Sequence, residues 1–395
     1  MKIEKTVLLL TLSVMVPCLA QAQKKELSQA RTYLKNKNFD GAERLMTTLL
    51  KDTANRQDKR IYVVWYEAVR GKYEQANDRL YLKQRQDTAQ FFGYARQLFT
   101  ILETLDSIDM RPDRKGRVAP EYREKHAAYL NTIRPNLFFG GTYHVRKSQW
   151  KEAFDYFERY LDCARQPLFE AYRYDSTDVR RPEAAYWATC CGYQMHDPVL
   201  TLRYRHEALR DTVHAALTLQ FMAEARLWLN DYEYYLATLQ QGFRRFPQHP
   251  YFFPRLMDAY NSQRQYDRAL AIADSALAVN DSSELFLFAK SATLLRLKRY
   301  HECIDYSMRL IAANDTLAEP YFNVGTAYLA LAEGLDPRKD KKLAKSAYQN
   351  ARFYMEHYRE LMPAAKDKWG PALYRIYLNL NLGRQFDEID RLLNK

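Results

Sequence analysis

Residues 216–317 read ALTLQFMAEARLWLNDYEYYLATLQQGFRRFPQH (216–249), PYFFPRLMDAYNSQRQYDRALAIADSALAVNDSS (250–283) and ELFLFAKSATLLRLKRYHECIDYSMRLIAANDTL (284–317). These are three 34-residue windows laid end to end, each with an aromatic at its seventeenth place: Tyr232, Tyr266 and Tyr300. Ten residues further on come Gly242, Ala276 and Leu310. A fixed period of this length is the mark of a repeat architecture. Large residues at places 4, 11, 17 and 24 fill space between two antiparallel helices, and small ones at places 8 and 20 let the axes approach. A turn near place 15 favours Gly, Asn or Lys. One such pair cannot bury its apolar face alone, so the pairs must stack.

The period extends outward from this centre. Window 23–56 carries Ala30, Tyr33, Phe39, Ala42, Met46 and Leu50, and window 57–90 carries Val64, Gly71, Tyr73, Ala76 and Leu80. Here Gly71, at place 15, predicts a turn. Residues 91–133 break the period. Asp87–Met110 has Phe92, Ala95, Phe99, Leu102 and Leu105 at helical spacing and predicts one long helix, followed by a basic loop and a second helix over Glu121–Ile133. The period returns at 134–167 with Gly141, Trp150, Ala153, Phe157 and Leu161. Residues 168–182 read as a charged linker, and window 183–216 as a degenerate repeat that overlaps the next by one residue. From 318 a further window begins, interrupted by a charged insertion at 333–345, and the last unit, from Gly370, is a shortened cap. The division expected is therefore 1–22 as a leader, 23–133 as an N-terminal set of helix pairs with an irregular long pair at 91–133, and 134–395 as the main array. Asp followed by Ser or Thr at Asp52, Asp87, Asp281 and Asp315 suits helix N-caps.

Composition agrees with an all-α chain. Gly is scarce at 12 of 395 residues, Tyr is abundant at 31, and runs of alternating β-branched residues are missing. The net charge is +12, with basic clusters at Arg111, Arg114, Lys115 and Arg117, and at Arg338, Lys339, Lys341, Lys342 and Lys345. These read as solvated loops rather than a nucleic-acid surface, because the N-terminus looks like an export signal. Lys2 and Lys5 precede the apolar run Thr6–Val16, and Ala20-Gln21-Ala22 is a cleavage signal that puts the mature start at Gln23. A periplasmic or secreted location is expected. Cys18 follows Pro17, which suits a lipid-modified cysteine poorly. No later stretch has the roughly 20 apolar residues that span a bilayer.

Cys163, Cys190, Cys191 and Cys303 lie beyond the leader. They stand either as buried thiols or with Cys163 bridged to Cys190 or Cys191. Metal-ligand spacings, a phosphate-cradling loop and a nucleophile elbow are all missing, so no catalytic residue, metal or cofactor is expected. His206-Glu207 has no second His in register, and His144, His214 and His301 stand alone.

The spacing, with Tyr321…Val324-Gly325…Tyr328 as its best local match and Phe246-Pro247 and Met362-Pro363 as closing prolines, resembles the tetratricopeptide repeat (TPR) family. The resemblance implies a right-handed α-solenoid of about nine to ten helix pairs, with a concave groove lined by the first helices at places 2, 5, 9, 12 and 13. Carried onto this chain, the groove residues are Gln220, Glu224, Leu227 and Trp228; Tyr251, Asp258 and Asn261; Phe288, Ala292, Leu295 and Arg296; and Phe322, Thr326 and Leu329. The resemblance further implies a non-enzymatic scaffold that holds a protein or peptide partner. The alternative is a glycan- or nutrient-binding surface protein. The basic carboxylate clamp of chaperone-binding members is missing. Places 5 and 9 hold Gln220 and Glu224, Pro254 and Asp258, and Phe288 and Ala292.

Overall fold

The structure is a computed structural model that describes residues 23–112, 115–336 and 338–393. The expected leader with Cys18, and Arg114 of the first basic cluster, lie outside these residues. Among the described residues all regular structure is helical. The chain falls into two compact units that part between Asn230 and Asp231.

The first unit opens with α1 (23–35), followed by α2 (Phe39–Leu49), α3 (Lys59–Tyr81), α4 (Thr88–Asp109), α5 (Arg123–Ile133), α6 (Pro135–Val145) and α7 (Trp150–Asp162). The short α8 (Tyr174–Thr177), then α9 (Arg181–Gln194), α10 (Pro198–Arg203), α11 (Arg205–Ala208) and α12 (Ala215–Trp228) complete it. The second unit holds α13 (Tyr232–Arg245), α14 (Phe252–Ser262), α15 (Tyr266–Val279), α16 (Glu284–Arg296), α17 (Tyr300–Ala313), α18 (Ala318–Glu333), α19 (Lys341–Leu361), α20 (Lys366–Asn379) and α21 (Gly383–Leu393). Among the described residues, eight antiparallel pairs close within the units. In chain order, α12 and α13 stand on either side of the parting.

The turn inside each pair sets the period. Lys37, Ser148, Asn230, Arg264 and Lys298 all have positive φ, between 55° and 60°. Each is place 15 of its window. After each such residue within a unit, the next amide donates to the carbonyl five residues back: Asn38 to Tyr33, Gln149 to His144, Gln265 to Tyr260 and Arg299 to Leu294, at 2.8 to 3.0 Å. This is a Schellman stop, which satisfies the carbonyls that a helix end leaves open. His196 occupies the same conformation with Asp197 bonded to Gly192. That moves the degenerate window up by one residue, to 182–215, so it abuts the next without overlap. Asn381 does the same for the last unit, whose first helix begins at Lys366 and runs through Gly370 and Pro371.

Gly71 does not turn the chain. It sits inside the 23-residue α3, and a Cβ there would lie 2.3 Å from the Phe39 ring. The glycine serves helix approach instead, and the stop comes at Lys83. As a result α3 pairs with the 22-residue α4, which the aromatic spacing predicts and which Asp87 caps. Asp52 caps as expected, but Asp281 and Asp315 do not. Those turns are built one residue earlier, by Asn280 accepting from Ser282 and Asn314 accepting from Thr316.

Residues 168–182 are packed, not a loose linker. Leu168, Phe169 and Tyr174 are buried in the first unit's core. Arg134 holds them there. Its guanidinium lies between the rings of Tyr160 and Tyr174, 3.8 and 3.9 Å from their centroids, and bonds Asp178 at 2.7 Å. The charged insertion is partly helix, its first residue closing α18 and its last five opening α19. It lengthens α18 to 16 residues and α19 to 21, leaving a short turn between them. In the second unit Asn323 donates to Ser291 at 3.1 Å inside the core, tying α18 to α16. All four described cysteines are buried and free. Burial pushes the Cys190 and Cys303 thiols up to about 11.

Glycine substitutions should separate two kinds of close approach. In Gly192→Ala the new Cβ would meet the Thr201 backbone nitrogen at 2.4 Å, which no rotamer change relieves. This variant should lose about 3 kcal/mol. Gly93→Ala, inside α4 with nothing within 4 Å of its Cβ, should gain about 1 kcal/mol. Urea unfolding of both variants is the measurement, and equal effects would refute the assignment.

Two buried groups on neighbouring elements set opposed pH slopes. Burial raises the Glu103 carboxyl from 4.5 to about 7 against the pull of Arg159. Burial, aided by Lys125, lowers His126 from 6.5 to about 4. Folded Glu103 keeps a proton that the unfolded chain releases, so its contribution is present below pH 4.5 and lost as pH rises through about 7. Folded His126 refuses a proton that the unfolded chain takes, so its contribution is present above pH 6.5 and lost as pH falls through about 4. The stability of Glu103→Gln should therefore rise between about pH 4 and 6.5, and that of His126→Phe should fall between about 4.5 and 7. Urea midpoints across this range should diverge in sign between the two variants; parallel profiles would refute the assignment.

Candidate partner-binding site

In the second unit α14, α16 and α18 begin next to two crevices that share Leu285, the first of mixed polarity, with Gln248, Asn280 and Ser283 in its lining, and the second apolar. One, of about 300 Å³, lies among Pro247, His249, Pro250, Phe253, Pro254 and Phe286. The other, of about 260 Å³, has Leu310 as its floor and Phe288, Leu317, Ala318 and Pro320 as its walls, with Glu284 and Glu319 at the rim. The local sequence explains the opening. Pro250, Pro254 and Pro320 stand in or just before a first helical turn, where a missing N–H removes no helix bond. Phe253 packs edge-on against Phe286, with centroids 4.6 Å apart, which ties α14 to α16 beneath the first crevice. Ser283 caps α16 by accepting from Phe286. Leu285, on the next face, is left 48% exposed.

The electrostatics are acidic. Lys368 bonds Glu319 at 3.0 Å. Asp281, Glu284 and Asp315 are exposed around the crevices. His249 accepts a bond from the Tyr251 amide at 3.4 Å, and burial holds its pKa below the ordinary value.

The residues expected to line a groove are divided by the fold. Gln220, Glu224, Leu227 and Trp228 lie on α12 and belong to the first unit. Trp228 stacks on Tyr193 and His196, with centroids 5.4 and 5.3 Å away. The remainder belong to the second unit. Phe288 lines the second crevice, while Ala292 and Leu295 are half-buried further along α16. Asp258, Asn261 and Arg296 are exposed on α14 and α16. Phe322 is half-buried against Tyr358, at 5.1 Å. Thr326 is half-buried and its hydroxyl faces inward. Tyr251 is buried under the Arg255 guanidinium at 3.8 Å, and Leu329 is buried in the core with Trp369 and Tyr377. Neither can present its side chain at a surface. The lining residues missed by the sequence reading are Leu285, Pro254 and Glu319, at places 2 and 5 of the same windows. The register already pointed to them.

Antiparallel helix pairs whose left-handed turns recur at a 34-residue spacing at Asn230, Arg264 and Lys298 define a TPR-like helical-repeat fold. No known family profile matches the chain, and no curated protein matches it in sequence. Among solved structures it is similar to the C-terminal part of a TPR repeat-containing protein from Cytophaga hutchinsonii, at 11% identity over 64% of this chain and 92% of that one, with a TM-score of 0.42. It is also similar to the apo form of RapI, at 14% identity over 94% and 98% of the two chains and a TM-score of 0.33. Yeast Tom70 gives 12% identity over 91% and 89%, with a TM-score of 0.34.

Stability measurements can tell surface from core among the register positions. Leu329→Ala should cost about 3 kcal/mol, because it empties a fully packed site. Leu285→Ala, half-exposed over a crevice, should stay within about 0.5 kcal/mol of the parent. Urea midpoints that coincide for the two variants would contradict the placement.

Proposed function

We propose that the chain is an exported, non-enzymatic scaffold of the cell envelope that holds a protein or peptide partner on the first helices of its second unit. The observation that carries this reading is the pair of open crevices joined at Leu285, the second of them apolar and walled by Phe288. Such a trough offers pockets for successive apolar side chains of a bound segment. The leader-like N-terminus supports the envelope location. The glycan-binding alternative has less support, because Trp228 already stacks its ring on Tyr193 and His196.

A photo-crosslinking residue placed at position 285 in the expressing cell tests the reading. It should capture a polypeptide, identified by mass spectrometry. Phe288→Ala should reduce the yield about tenfold, as expected for truncating a central apolar anchor. Capture that is indifferent to Phe288→Ala would overturn the proposed trough.

A further inference from the structure

The insertion that lengthens α18 and α19 carries a second surface, unrelated to the crevices. With 21 residues, α19 exceeds the 14-residue α15 and α17 by two turns, which carries its N-terminal end roughly 10 Å further out. Five cations are exposed there: Arg338, Lys339, Lys341, Lys342 and Lys345. Three acids share the hairpin, and one of them, Glu333, pairs with Arg375, so the cations outnumber them five to three. Asp336 accepts from the amides of Arg338 and Lys339, and Asp340 accepts from the amide of Asp336. Leu343 stands among the cations and is 63% exposed.

This arrangement runs against what a helix start prefers. The N-terminus of a helix carries partial positive charge and favours acids. Helices α15, α16, α17, α18 and α20 each place one in the first turn, namely Asp267, Glu284, Glu302, Glu319 and Asp367. Like α14 and α21, α19 has none there, and behind its N-cap Asp340, whose side chain makes no cap hydrogen bond, it begins with Lys341 and Lys342. Lys341 and Lys345 are also like charges four residues apart, which is unfavourable on a helix. Folding gains nothing from this pattern, whereas an anionic surface would.

We propose that the tip of the α18–α19 hairpin binds the surface of an anionic phospholipid bilayer. The cations meet headgroup phosphates and Leu343 enters the acyl boundary. A tip of compact lysine charges around an apolar side chain matches an interfacial membrane contact. A nucleic acid would reward the cations but not an exposed leucine. No described helix is long and apolar enough to cross a membrane, so the contact is peripheral.

The test is vesicle flotation of the full chain. It should float with vesicles of phosphatidylcholine mixed with phosphatidylglycerol, not with pure phosphatidylcholine, and added salt should weaken the association. The triple variant Lys341→Gln, Lys342→Gln, Lys345→Gln should bind about a hundredfold more weakly, since each surface cation contributes roughly equally. Leu343→Ser should lose about tenfold. Thermal melts should place Leu343→Ser with the parent and the triple variant level with it or slightly above, because every altered side chain is exposed and the lysines oppose the helix start. Equal binding to neutral vesicles, or an unaffected triple variant, would overturn the proposal. So would binding to a DNA duplex as tight as to the anionic vesicles and unchanged by Leu343→Ser, which would make the tip a general polyanion site.

Discussion

The Schellman stop at place 15 is the interaction on which the rest of the fold depends. A helix pair is useful to a stack only if its second helix returns at the same angle each time. That demands a reversal of fixed geometry, here a left-handed residue followed by an amide bonded five residues back. Among the described residues, nine non-glycine residues adopt a left-handed conformation, and all but Arg173 stand at the end of an α-helix. Each costs roughly 1 kcal/mol relative to ordinary helix geometry. The bonds to helix-end carbonyls and the packing of the returning helix offset that cost. Glycine would turn more easily but would also loosen the unfolded chain. Long polar side chains at these places, such as Arg264 and Lys298, tolerate exposure while the backbone supplies the geometry.

Where the period fails, charge pairing substitutes for regular stacking. The long α4 presents Glu103, Asp106 and Asp109 inward along one stripe, all buried. Arg159 of α7, Arg123 of α5 and Lys59 of α3 meet them in turn. Each pair ties α4 to a different element, so the three together locate elements that no repeat register fixes. Arg134 plays the same part for residues 168–182. Buried pairs of this kind add little net stability, because desolvation consumes most of the attraction. Breaking one leaves an uncompensated charge, and this penalises alternative packings of the irregular segment.

How much of this could be read in the sequence follows from the same division. The aromatic at place 17 and the polar residue at place 15 are local requirements of a helix pair. Tyr232, Tyr266 and Tyr300 therefore announced the array, and the run from Phe92 to Leu105 announced α4. Gly71 misled because glycine serves two purposes, a left-handed turn or a helix contact, and only the neighbouring Phe39 ring decides between them. The segment 168–182 read as a linker because its charges are visible in sequence while the stacking of Arg134 between Tyr160 and Tyr174 is not. The insertion at 333–345 was visible as an interruption of the period by charged residues. Lys, Ala and Leu are nevertheless good helix formers, and only a few residues are needed to reverse the chain. Of the expected groove residues, Phe288, at an outward-facing place, lines the second crevice. Tyr251 and Leu329 occupy outward-facing places too, but neighbouring side chains close over them, and that is a property of the stack rather than of the window.

The hairpin tip shows where a helical repeat can accept new chemistry. Residues at places 8 and 20 sit where the two helices of a pair pack, as Gly141 does against Phe157 and Gly325 against Met355, and altering them perturbs that contact. A turn between the helices of one pair touches no other pair, so lengthening both helices there extends their mutual contact without disturbing the register on either side. The array remains in period after the insertion, with α20 and α21 packed as an ordinary pair and Trp369 and Tyr377 in the same core as Leu329. Unfavourable charge at the start of α19 is therefore confined to two turns that the core does not use. The fold can tolerate Lys341, Lys342 and Lys345 together at that tip, whereas the same three charges at the start of α16 would surround the apolar crevice beside Phe288 with cations.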